Sequence, residues 1–84
     1  MVRIRSKELC QSLRSEAIVR QDKSTDNELR LRILDYFIVH NPSDDVFEEA
    51  LKTRINDPDP AKEQSRIICT QILEVWQTRT AGRL

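Results

Sequence analysis

Glycine is almost missing from this chain. Among 84 residues there is one, Gly82, two positions from the end. Folds made of tight hairpins place glycine where a turn needs a positive φ, because any Cβ is crowded there. What remains is a set of helices joined by turns of Pro, Asp, Asn and Ser. The three prolines stand at two places, Pro42 and the pair Pro58/Pro60, and helical periodicity runs through each piece between them.

The first piece, from about Ser6 to Arg20, carries Leu9, Cys10, Leu13 and Ala17 at i, i+1, i+4 and i+8, a narrow apolar stripe. The run QDKSTDNE interrupts it. Thr25 followed by Glu28 has the spacing of a capping box and predicts a second helix starting near Asp26. That helix, NELRLRILDYFIVH, is the most apolar element. At about 100° per residue, Leu29, Ile33, Tyr36 and Phe37 cover one side, and Leu31, Leu34 and Ile38 cover the adjoining one. An arc of roughly 220° is more than one neighbour covers. The helix is therefore either central in a bundle or turns its second side to another chain. YFIVH has strand propensity and VRIR alternates like a strand, but a two-stranded ribbon without a third strand is marginal, so helix is the expectation.

Pro42 disfavours helical geometry at Asn41 and ends the second helix. Ser43 is a good N-cap, with Asp44 and Asp45 facing the positive end of the next helix dipole. Val46, Phe47, Ala50, Leu51 and Ile55 form the apolar face of this third helix. In NDPDPAKEQSR, Asp57 and Asp59 each precede a proline and are kept out of helical geometry. Asp59 then caps a fourth helix with Pro60 at its first position. A calcium loop needs further oxygen ligands at fixed spacing and a glycine at its sharp turn, so the Asp-Pro pairs read as punctuation. The fourth helix carries Ile68, Cys69, Ile72, Leu73, Val75 and Trp76 over an arc of roughly 160°. The expected fold is all-α: one domain over residues 1–84, a compact bundle of four short helices, with 1–5 and 80–84 frayed.

The chemistry the chain lacks is equally informative. His40 is its only histidine, placed at a helix C-terminus where an imidazolium is favoured. There is no glycine-rich phosphate loop and no nucleophile motif around any serine. Asp44/Asp45 and Glu48/Glu49 read as a helix start and a solvated face. No enzymatic role, cofactor or metal is expected. Cys10 and Cys69 fall on apolar arcs and away from any Cys-x-x-Cys pair, which predicts buried, reduced thiols and a cytoplasmic location. No apolar run approaches the ~18–20 residues of a membrane span, and the basic start lacks the apolar core of a secretory signal.

Fourteen basic and fourteen acidic residues give no net pull on nucleic acid. The second and third helices can be drawn as a helix-turn-helix, but the third would present Asp44, Asp45, Glu48 and Glu49 to phosphate. What is left is association. The expectation is a small regulatory or adaptor protein that binds another protein through apolar helix faces and forms a homodimer. Its interface residues are Leu31, Leu34, Ile38, Arg54, Ile67 and Trp76. Leu31, Leu34, Ile38 and Trp76, with Val39, are the surplus of the wide apolar arcs. Arg54 interrupts an apolar face, as a snorkelling stem or an interface arginine. Ile67 is a lone apolar residue on a polar one. The alternative is a nucleic-acid-binding regulator that uses the basic segment Arg3, Arg5, Lys7, Arg14 and Arg20.

Overall fold

The computed structural model describes residues 4–21 and 23–81, the last two by their backbone alone. The elements are α1 (Ser6–Val19), α2 (Thr25–His40), α3 (Asp44–Ile55) and α4 (Glu63–Ala81), with a 3₁₀ turn at Pro60–Lys62 leading into α4. No strand occurs among the described residues, and the YFIVH stretch is helical. Of the VRIR stretch, Val2 and Arg3 lie outside the described residues, as do the other terminal residues expected to fray, 1 and 82–84. Residues 80 and 81 continue α4. α1 pairs with α2 and α3 with α4, each pair joined by a short connection, and α2 packs on α4.

Left-handed backbone does occur without glycine. Gln21 has φ 53° after α1, and Asn41 has φ 43° and ψ 56° after α2. Asn41 suits the position because asparagine tolerates this region, and its N–H donates to the Phe37 carbonyl at 2.9 Å. Scarcity of glycine thus moved these turns onto other residues and did not remove them.

Three caps set the helix starts. The start of α2 differs from expectation: Ser24, not Thr25, is the N-cap, its hydroxyl accepting from the Asn27 N–H at 3.2 Å. The reason lies in packing. A start at Ser24 brings Asn27 to the third helical position, where its buried side-chain amide donates to the Ala17 carbonyl at 3.2 Å and closes the end of α1. Ser43 caps α3 as expected, accepting from the Val46 N–H at 3.4 Å. Asp59 Oδ1 accepts from the Ala61 N–H, and Asp57 Oδ1 from the Asp59 N–H, both at 3.0 Å. The carbonyls of Asp57 and Asp59 each accept from Arg66 Nη1 at 2.7 Å. The Asp-Pro loop is held by the chain's own donors, which is the role of punctuation.

The core joins all four helices: Leu9 and Cys10 from α1, Ile33, Leu34 and Phe37 from α2, Phe47 and Leu51 from α3, Ile68, Cys69, Ile72 and Trp76 from α4. Edge-to-face ring contacts run through it, Phe37 to Phe47 at 4.9 Å and Phe47 to Trp76 at 5.3 Å. α2 is the central helix. α1 flanks it through the Asn27–Ala17 bond and an Arg14–Asp35 ion pair at 2.6 Å, and α4 through Arg30 Nη2, which donates to Gln71 Oε1 at 2.8 Å. Of the wide apolar arc, Ile33, Leu34 and Phe37 are buried, Leu29, Leu31 and Ile38 half-buried, and Tyr36 and Val39 exposed.

Candidate interaction surface

The six residues expected at an interface do not form one surface. Leu34 and Trp76 are corrected: they are 0% and 2% exposed, sealed in the chain's own core by the central position of α2 and by the Phe47–Trp76 contact. Leu31 and Ile38 are half-buried, Ile38 packing against the core. Ile67 is 45% exposed on the outer face of α4, beside exposed Glu63, Gln71 and Glu74. Val39, part of the expected surplus, is exposed.

Arg54 is the informative one. Its stem is half-buried and its guanidinium lies over two rings of α2, 5.1 Å from the Tyr36 centroid and 5.6 Å from that of Phe37. Cation–π attraction holds it there. The Tyr36 ring is in turn 4.2 Å from that of His40, one turn along α2. On α3, Val46, Ala50 and Arg54 follow at i, i+4 and i+8 and share a face. The Tyr36–Arg54 contact joins this row to the Tyr36/His40 row.

The result is a face across α2 and α3. Tyr36 and Val46 on it are 47% and 56% exposed, although both were expected to contribute to buried faces. Their i, i+4 spacing was readable in the sequence. That they sit at the rim follows only from how α3 crosses α2.

Hollows lie elsewhere. One of about 690 Å³ opens where the N-termini of α1 and α3 meet, lined by Arg5, Ser6, Lys7, Asp44 and Asp45 among others. Asp44 Oδ1 accepts from the Ser6 N–H at 3.0 Å, and the Ser6 hydroxyl donates to the Pro42 carbonyl at 3.3 Å. The chain thus supplies its own anion to the start of α1, which has no side-chain cap on its own helix. A second hollow, about 120 Å³, lies between α1, α2 and α4 over Leu13, Leu34, Ile72 and Val75.

Among the described residues no three His, Cys, Asp or Glu side chains gather as metal ligands would. Cys10 and Cys69 are free and buried. Burial pushes the Cys10 thiol up to about 12 from an ordinary 9.0. Burial also raises Cys69, partly offset by the Arg54 charge and a hydrogen bond with the Ser65 side chain. Both thiols are closed off from solvent and raised above their ordinary pKa, so neither has the open setting of a reactive thiolate. Among the described residues, no helix is long and apolar enough to cross a membrane.

Comparison of the chain with protein-family models, with curated proteins and with solved structures finds no match.

Proposed function

We propose that this chain is a small non-enzymatic regulatory or adaptor protein that binds another protein through the α2/α3 face. One observation carries the reading: Tyr36 and Arg54 are in cation–π contact at the surface, and Arg54 shares its face of α3 with exposed Val46. Tyr and Arg are the residue types that dominate interface energetics, and a pre-positioned pair loses little conformational entropy on binding. The buried, reduced thiols support a cytoplasmic location. The homodimer is a weaker proposal, since Leu34 and Trp76 no longer support it and only Leu31, Ile38 and Val39 do. Nucleic-acid binding through the basic segment is weaker too. Arg14 is paired with Asp35, and Arg5 and Lys7 line the same hollow as Asp44 and Asp45.

Site-specific photo-crosslinking in the native host tests the reading. A photoreactive residue replacing Val46 should give a discrete protein adduct, and one replacing Ile67 should not. Equal adducts at both positions, or none at Val46, would refute the α2/α3 face as the docking surface. A salt-sensitive mobility shift with random DNA or RNA would favour the nucleic-acid reading instead.

A further inference from the structure

Resting on that reading of the α2/α3 face, we infer that its occupant is an acidic and apolar segment of a partner protein, with a carboxylate bound by Arg54. The helical arginines differ in how they are satisfied. Arg14 has Asp35; Arg30 has Gln71 and Asp26; Arg66 has the carbonyls of Asp57 and Asp59. Arg54 has no bonded acceptor among the described residues; the same holds for exposed Arg32 and Arg79, but of these Arg54 alone is half-buried, against the Tyr36 and Phe37 rings and near enough for its charge to act on Cys69. The two rings stand at 81° to each other, so the planar guanidinium lies flat on at most one of them. With no acceptor bonded to it, its N–H donors are left for a carboxylate, which a guanidinium takes bidentately.

The surroundings select among anions. The acidic residues of α3 stand off this row: Asp45 and Glu49 lie round the helix from Arg54, and Glu48 is paired with Lys52 at 3.7 Å. The Val46/Ala50/Arg54 row offers a single cation, which balances one carboxylate and not a doubly charged phosphate, and this argues against phosphopeptides and nucleic acid. Tyr36 and Val46, both about half exposed, supply apolar surface on the same face. The matching ligand has an Asp or Glu within one helical turn of a large apolar side chain. Because the guanidinium already rests against the two rings before the partner arrives, less ordering is left to do on binding.

Selection of phage-displayed random peptides on the full chain tests this. Enriched peptides should pair an acidic residue with Leu, Ile or Phe. Their affinity should fall about tenfold or more on Arg54→Gln, the loss expected of an interface hot spot, and selection on Arg54→Glu should enrich basic peptides instead. If Arg54→Gln does not fold, as judged by helical circular dichroism, Arg54→Lys replaces it. Lysine keeps the charge and loses the fork, and it should also weaken binding. Peptides that are sensitive to Tyr36→Ala but lack acidic residues, or that bind Arg54→Gln as well as the wild type, would overturn the acidic occupant and leave the docking face standing. No enrichment, or binding indifferent to both Tyr36→Ala and Val46→Glu, would overturn the docking face and the occupant with it.

Discussion

Leu34→Ala separates a core role from an interface role. Leu34 is fully buried within a single chain, so its truncation should destabilise the monomer itself. Buried Leu→Ala changes cost ~2–5 kcal/mol, rising with the void left behind. Here Leu34 borders the small hollow it shares with Leu13, Ile72 and Val75. The hollow is open to water, so the lost methyl groups leave a deeper groove and not a sealed void. That places the cost at the lower end, ~2–3 kcal/mol. A chain of this length holds roughly 4–13 kcal/mol at ~0.05–0.15 per residue, so the loss is a large share of the total. The melting temperature should drop by ~10–20 °C, at about 4–8 °C per kcal/mol for a domain of this size. Urea unfolding followed by circular dichroism, at low and at high micromolar protein, measures it. The loss should be the same at both concentrations, and Val39→Ala, at a position 78% exposed, should stay within ~0.5 kcal/mol of wild type. A Leu34→Ala loss that grows or shrinks with protein concentration would place the side chain between two copies and refute the argument.

Ser24→Ala should cost ~0.5–2 kcal/mol while Thr25→Ala stays near neutral, because only the Ser24 hydroxyl caps α2; thermal melts that rank them the other way would restore the capping box at Thr25. Asp59→Ala should cost a similar ~0.5–2 kcal/mol with no dependence on calcium, and a calcium-induced rise in melting temperature seen in wild type alone would show the loop to be a cation site. Both thiols should label slowly in native protein and quickly in denaturant. The raised Cys10 pKa also has a definite sign: its contribution is intact below the ordinary 9.0 and is lost as pH climbs toward about 12. Stability should therefore fall above pH 9 by up to ~1.4 kcal/mol per pH unit, and the slope should be shallower in Cys10→Ala. Equal slopes would mean the thiol ionises as freely folded as unfolded.

Local rules carried most of the fold. Helix spans, the Ser43 cap, the Asp59 cap and the buried cysteines all follow from spacing and turn chemistry within a few residues. The misses needed the third dimension. Ser24 and Thr25 are both competent caps, and the choice depends on the Asn27 amide reaching Ala17, ten positions away in sequence. Asp44 was readable as a residue at the start of α3, but its bond to Ser6 spans 38 positions and belongs to the junction of two helices. Tyr36 and Val46 lie at the edges of their apolar arcs, where a turn of a few tens of degrees decides between core and rim.

The width of the α2 arc had two explanations, a central place in the bundle or a second chain, and the same residues that decide between them also create the candidate site. A helix that meets α1 on one side and α3 and α4 on the other buries Ile33, Leu34 and Phe37 and leaves Tyr36 and His40 at its margin. An aliphatic residue at position 54 would simply extend the apolar face of α3 toward that margin. Arginine there keeps the packing through its stem and its cation–π contacts with Tyr36 and Phe37, and adds a charge at the rim. Inward, that charge acts on buried Cys69, whose raised pKa it partly lowers, while Leu51 and Phe47 fill the interior of α3. The Arg54 N–H donors, bonded to no acceptor among the described residues, are left for whatever meets the α2/α3 face.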